Sequence, residues 1–500
     1  MKRIDHITTI AHEIGRIFEF LSIATLLPFL VLVIFREWDL FLPMASAPLV
    51  FFILGNILAR VHRAPVTPPL SVSLVVVALS WFAIALVGAL PFVFGLSMSY
   101  TDSVFEAMSG WTGTGFTMIT SLDTTPRTLL FWRSFIQWIG GIGIVAFGIS
   151  LRRKTTVSLF QLYRSEGRSE SLMPNVVSTG RRMWLIYLSL TFLFTGLVML
   201  SGTALWDSLN LVMVALATGG FSVHDAGMMY YNNPMLELSL IPVMLAGALP
   251  FKVYFLLYRG NIKGMFKDRI VQVLLLIAVV GSAITSLDLF IFNNLTLEQA
   301  IREGTFCAIS GYTTTGLQNS NPHFWHAIPI AVVTIMMFIG GASGSTAGGI
   351  KVNRVMLAYA GVKWWLKRYF VSRRVLVPLR FEGRTIPRHI SDLEISKNMV
   401  VIMLYSLTIF FSTIIVLHLY ITSFGINQIV FEEVSALSNV GLGLGYITAA
   451  SPLSIKWIFI FLMWLGRLEI VPAIILAIGV FKGIQNDITY QQIHSSDRES

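Results

Sequence analysis

Four short stretches rich in glycine, threonine and serine carry the residues whose types and spacing suit a chemical task. They read FEAMSGWTGTGFT, LVMVALATGGFSV, REGTFCAISGYTTT and FEEVSALSNVGLGLG. Aligned on Gly115, Gly220, Gly311 and Gly441, the next residue is apolar in every case: Phe116, Phe221, Tyr312 and Leu442. Thr117, Ser222, Thr313 and Gly443 follow. Before the glycines stand Gly113 and Thr114, Thr218 and Gly219, Ile309 and Ser310, and Asn439 and Val440. The potassium-filter sequence TVGYG has the same small–x–Gly–aromatic–small layout. The chemistry such loops suit is cation coordination. An ion that sheds water needs replacement oxygens, and extended backbones around one axis supply carbonyls. Glycine permits the backbone angles this requires. The expected ion-binding set is these four glycines with the two residues before each.

The elements that position these loops follow from composition. The chain has 500 residues, 55% hydrophobic and only 12% charged, with mean hydropathy +0.73. A soluble domain carries about 25% charge, so a polytopic membrane protein is expected. A span needs about 20 mostly apolar residues. Ten candidates lie near 15–35, 43–60, 70–95, 128–150, 183–202, 236–258, 270–292, 327–350, 398–420 and 455–480. Between spans, the segments 96–127, 203–235, 293–326 and 421–454 each open with an apolar run of about ten residues, too short to cross a bilayer. Each then breaks into its glycine cluster. The pattern is a fourfold repeat of span, half-helix, polar loop and span.

The expected fold class is therefore an all-α polytopic membrane protein, with four parallel span–pore-loop–span repeats around one pore and two extra N-terminal spans. The divisions are 1–66 for the two N-terminal spans, then 67–160, 161–260, 261–380 and 381–500 for the repeats. Each half-helix would aim its negative C-terminal end at the pore, which favours cations. Glu106, Glu303, Glu432 and Glu433 lie early in the half-helices. They either add to an outer negative field or anchor the local backbone.

Lysine and arginine concentrate in alternate loops, with eleven basic against three acidic residues in 351–397. By the positive-inside rule both termini are cytoplasmic. That loop, with net charge +8, suits either anionic lipid or an acidic or polar docking face on a cytosolic partner. The N-terminus shows no signal-peptide pattern. The single cysteine, Cys307, excludes an intrachain disulfide, and no Cys/His metal cluster is apparent.

Ten consecutive small residues, Gly340 to Gly349, end the eighth candidate span. A nucleotide-phosphate loop is excluded because Ile350 rather than lysine follows Gly349. Close helix packing of the GxxxG type is one reading. A broken span whose loop, Gly344, Ser345, Thr346, Ala347 and Gly348, hangs in the pore is the preferred one. Gly141 and Gly143 lie inside a span, which argues against a dinucleotide fold. Arg467 falls about twelve residues into the last span, where a charge faces a pathway or a partner. It is read as an electrostatic barrier to cations, with a structural ion pair as the alternative. Lys252 is expected to snorkel, Arg133 and Gln137 to brace a neighbouring loop, and His224 and Asp225 to be turn residues.

Four pore loops on an eight-span core, the GGASGSTAGGIKV segment and the GRLE arginine resemble the Trk/Ktr/HKT superfamily of potassium transporters. The two extra N-terminal spans and the QLYRSEG stretch at 161–167 resemble its bacterial and archaeal Trk membrane subunit. The resemblance spans essentially the whole chain. It implies potassium uptake through a gated pore in the cytoplasmic membrane, with potassium as the transported ion and no organic cofactor. It also implies a homodimer with one pore per protomer, and a cytosolic ring of nucleotide-binding regulatory subunits. On the same basis, the Gly344 segment corresponds to the intramembrane gate and Arg467 to the pore arginine. Sodium-preferring plant relatives carry serine at the first filter glycine; Gly115 here favours potassium. The chain departs from the commonest Trk first loop, TTTGA, at Gly113 and Phe116. Alternatives are a sodium- or proton-coupled symporter of the same fold, and a membrane-embedded enzyme. Parallel repeats and a lone central charge disfavour the symporter. Nine scattered histidines disfavour the enzyme, and nothing in the sequence calls for nucleic acid.

Overall fold

A computed structural model describes residues 3–62, 69–143, 176–371, 377–381, 384–386 and 388–482. The described chain is helical apart from one short antiparallel hairpin, Leu379–Phe381 with Arg384–Ile386, which the all-α expectation did not include. Six helical stretches are long and apolar enough to cross a membrane, or up to eight if two bent pairs each count as one span. Their outer faces expose Ile34, Phe192, Leu276 and Phe410, the surface a membrane helix offers to lipid.

Four short helices do not cross. They are Tyr100–Thr112, Leu205–Ala217, Leu297–Tyr312 and Ile426–Leu437. The starts of the first and third are capped by side chains. Ser99 accepts from the Asp102 amide, and Thr296 forms a capping box with Gln299, arrangements that satisfy otherwise orphaned N–H groups. Their last turns are buried among the neighbouring helices, with Trp111, Ala217, Tyr312 and Leu437 almost fully enclosed.

The helices that follow them are interrupted, and here straight spans are corrected. The helix Arg127–Ile142 stops at Gly143, whose φ is +92°; the remainder of the expected 128–150 span lies outside the described residues. The expected 236–258 span bends by 103° between Pro234–Ala248 and Phe251–Tyr258, because Pro250 cannot continue the first helix. The expected 455–480 span bends by 109° after Arg467, where Glu469 and Ile470 adopt left-handed φ of +56° and +67°. The expected 327–350 span is helical only over Ala327–Ile339, and a helix resumes at Val352–Tyr369.

Candidate functional site

The C-terminal ends of the four short helices lead into four loops that touch one another in cyclic order. A Cβ built on Gly115 would lie 2.5 Å from the Gly219 carbonyl oxygen, and one on Gly220 would lie 2.6 Å from that of Thr315. One on Gly316 would lie 1.8 Å from the Val440 oxygen, and one on Gly441 would lie 2.1 Å from that of Thr114. Each glycine thus leaves room for the carbonyl of the next loop, and the cycle closes from the fourth loop to the first. All four have left-handed φ: +109°, +79°, +82° and +88°.

The residue two places earlier is left-handed as well: Gly113 at +69°, Thr218 at +56°, Thr314 at +57° and Asn439 at +54°. In a regular strand successive carbonyls point to opposite sides. Left-handed residues at every second position turn them toward a common side. The negative ends of the helix dipoles stand immediately behind.

This geometry corrects the third loop. Ile309, Ser310 and Gly311 belong to the helix Leu297–Tyr312. The space a Gly311 side chain would take faces Val333, Leu442 and Met337 rather than a neighbouring carbonyl. Gly316, five residues on, occupies the ring position, with Thr314 and Thr315 before it and buried Leu317 after it.

Polar side chains hold the loops in shape. Ser109 Oγ accepts from the Gly115 amide at 2.9 Å, and Ser435 Oγ from the Gly441 amide at 3.0 Å. Glu106, fully buried, accepts from the Met118 amide at 2.7 Å, from Thr117 and from Arg133 Nε at 2.7 Å. Glu432 accepts from the amides of Leu444, Tyr446 and Ile447 at 2.6, 2.8 and 2.9 Å. In the third loop Cys307 donates to Asn319 Oδ1 at 3.2 Å. Glu106 and Glu432 are therefore loop anchors rather than free charges at an outer mouth. Asn439 donates to Thr114 Oγ1 at 3.1 Å and to the Met463 carbonyl at 2.8 Å.

The segment Gly340–Lys351 lies against this ring. Gly348 N–H donates to Thr314 Oγ1 at 2.7 Å, and Gly349 N–H to the Ser438 carbonyl at 3.1 Å. Thr346 Oγ1 reaches the carbonyls of Leu216 and Gly247 at 3.0 and 2.8 Å. Backbone bonds to Ala248 and Phe251 tie the same segment to the bend between Pro234–Ala248 and Phe251–Tyr258. Ser345, Ala347, Gly348, Asn439 and Arg467 line part of a cavity of about 50 Å³.

Arg467 is the last residue of its helix rather than the middle of a continuous span. Its guanidinium donates to the carbonyls of Gly140, Gly141 and Thr346 and lies over the Trp81 ring, 4.9 Å from its centre. It therefore joins the C-terminal turn of Arg127–Ile142 to the 344–348 segment. Glu469, two residues away, bonds instead to Arg354. Lys252 lies 3.4 Å from Asp268. His224 and Asp225 tie the connections after the first and second short helices together. His224 Nδ1 is 2.8 Å from Asp123, and Asp225 accepts from the Leu122 amide at 2.5 Å.

Apolar spans, four non-crossing helices and a closed cycle of backbone carbonyls define a membrane transporter rather than an enzyme. The chain belongs to the TrkH family of cation transport proteins, whose family model matches residues 47–482. It is 31% identical to an uncharacterized cation transporter of Methanocaldococcus jannaschii, over 93% of this chain and 94% of that one. It is 29% identical to the Trk system potassium uptake protein TrkH of Escherichia coli K12, over 81% and 85% of the two chains. The crystal structure of the potassium transporter TrkH from Vibrio parahaemolyticus superposes with a TM-score of 0.83 at 26% identity, covering 95% of this chain and 98% of that one.

Proposed function

We propose that this chain is the membrane subunit of a potassium uptake system and that Gly115, Gly220, Gly316 and Gly441 form its selectivity filter. The observation that carries the reading is the closed cycle in which each of these glycines, at positive φ, makes room for the next loop's carbonyl. Carbonyls fixed in this way replace the hydration shell of a cation. The family and the names of its relatives support potassium as the ion. Thr114, Gly219, Thr315 and Val440 supply the oxygens at the level of the glycines. Gly113, Thr218, Thr314 and Asn439 supply the level beneath.

The segment Gly344, Ser345, Thr346, Ala347 and Gly348 is the gate in this reading. It is bonded to three of the four repeats, so its movement must break several hydrogen bonds together. Arg467 holds it shut and places a fixed positive charge on the ion path. Four span–loop–span repeats surround the one pore, in the cytoplasmic membrane, with both termini inside. Two copies associate, each with its own pore. The basic 351–397 region docks a cytosolic nucleotide-binding ring that moves the gate. Anionic lipid neighbours that region.

The test is radioactive rubidium uptake into liposomes holding the purified protein. A pore passes rubidium down its gradient without a co-ion. A strict requirement for a sodium or proton gradient would instead establish the coupled symporter.

A further inference from the structure

The ring is not braced alike in its four quarters. Nine residues before the ring glycine, the first, third and fourth short helices carry Glu106, Cys307 and Glu432, each bonded within its own loop. Six residues before it they carry Ser109, Ser310 and Ser435, of which Ser109 and Ser435 accept from the amide of the ring glycine. The second short helix has Leu211 and Val214 at these places, both buried. Three residues after the glycine, where the third loop has Asn319, the second loop has Val223, also buried. At Leu211 and Val214 its own helix therefore offers the stretch around Gly220 no polar brace; its polar contact with the loop lies farther along, where Asp207 is 3.8 Å from His224.

The helix Arg127–Ile142 supplies one from the first repeat. Gln137 is fully buried. Its Nε2 donates to the Gly219 carbonyl at 2.5 Å, and its Oε1 accepts from the Phe221 amide at 3.2 Å. The two bonds flank Gly220 and fix the plane of the peptide on either side. One turn earlier, Arg133 donates to the Ser222 carbonyl at 2.6 Å and lies 4.0 Å from the centre of the Phe221 ring. Gly219 also loses a side chain to this contact, since a Cβ there would fall 2.5 Å from Gln137 Oε1. Among the described residues, no side chain donates to the corresponding carbonyls of Thr114, Thr315 and Val440. An oxygen already holding an amide proton has less lone-pair density for a passing cation.

We infer that Gln137 is a specificity-determining positioning residue, which sets the second quarter of the ring from outside it and leaves one of the four carbonyls a weaker cation ligand than its neighbours. The inference rests on the filter reading above.

The test compares sodium and potassium as competitors of rubidium uptake by the full-length protein in liposomes. The variants are Gln137→Met, Gln137→Glu, the double variant Gln137→Met with Val214→Ser, and Gly220→Ala. Loss of one buried hydrogen bond of this kind is expected to relax potassium-over-sodium discrimination about tenfold in Gln137→Met. Gln137→Glu keeps an acceptor for the Phe221 amide but loses the donor, and is expected to relax it at least as far. Val214→Ser places a hydroxyl where the other three repeats have one, and is expected to restore part of the discrimination. A merely structural role would leave the ratio unmoved. Unchanged discrimination in Gln137→Met, with Gly220→Ala relaxed, overturns the role of Gln137 alone. Unchanged discrimination in Gly220→Ala as well overturns the filter reading. If Gln137→Met does not fold, Gln137→Glu decides by the same criterion.

Discussion

The carbonyl oxygen of Val440 occupies the space that a side chain on Gly316 would need: a Cβ there would stand 1.8 Å from it. Gly316 is also left-handed, at φ +82°, where a residue with a Cβ is strained by about 1–3 kcal/mol. Gly316→Ala is therefore expected to displace the Val440 carbonyl and relax discrimination against sodium. Gly311→Ala meets side chains at 2.8–3.3 Å instead, which can shift. It should lower thermal stability modestly and leave the potassium-to-sodium ratio near wild type. Competition flux assays on the two variants check this pair. A relaxed ratio in Gly311→Ala, with Gly316→Ala normal, would reverse the assignment.

Glu432 is fully buried and holds three backbone amides. Each buried amide left without a partner costs about 1–3 kcal/mol. Glu432→Leu should lower the melting temperature of the detergent-solubilised protein by many degrees. Glu432→Gln keeps acceptor capacity and should lose much less. Equal melting of both variants with wild type would show that the anchor carries no weight.

Glu106 and Arg133 are both almost wholly buried, 2.7 Å apart. Removing one partner of such a pair strands a charge at a cost of about 3–5 kcal/mol. Arg133→Met alone should destabilise strongly. Arg133→Met with Glu106→Gln should recover a substantial part, and melting curves of the single and double variants measure it.

Much of this was legible in the sequence. Hydropathy marks the apolar segments, and the glycine clusters mark all four loops. In the third loop Gly311 and Tyr312 imitate the glycine–aromatic pairs Gly115–Phe116 and Gly220–Phe221 of the first two loops, which draws the sequence reading five residues short of Gly316. A second periodicity carried the correct register. Ser109, Ser310 and Ser435 stand six residues before Gly115, Gly316 and Gly441. The breaks within the later helices were harder to see, because apolar residues run continuously through Leu249, Phe251 and Ile470. Pro250, Lys252 and the charged pair Arg467 and Glu469 interrupt them. The long-range contacts of Gln137 and Arg467 depend on how the helices pack, which no local pattern encodes.

Thr346 ties the 344–348 segment to the carbonyls of Leu216 and Gly247 through one hydroxyl. Thr346→Val keeps the shape and removes the one hydroxyl proton shared between the two carbonyls, worth about 1 kcal/mol. It should raise rubidium flux in the absence of any regulatory partner. Deleting part of Gly344–Gly348 should raise it further. A folded deletion with lower flux would contradict the gate.

Arg467 remains charged at any physiological pH. A cation passing about 6 Å away meets repulsion of about 3 kcal/mol at an effective dielectric of 20. Arg467→Ala should raise flux and leave the potassium-to-sodium ratio intact, while Arg467→Lys keeps most of the barrier. The guanidinium also bonds to the carbonyls of Gly140, Gly141 and Thr346, so its loss frees the segment as well. A variant that melts much earlier and conducts no better would retire the barrier role.

The most direct test of the central claim is the potassium-to-sodium competition ratio for rubidium uptake by the purified protein in liposomes, measured for wild type and Gly115→Ser. The account predicts that wild-type uptake is blocked by potassium at far lower concentration than by sodium, and that Gly115→Ser narrows the gap more than it lowers total flux. Equal competition by the two ions in wild type, or an unaltered ratio in Gly115→Ser, would contradict a filter built on these four glycines.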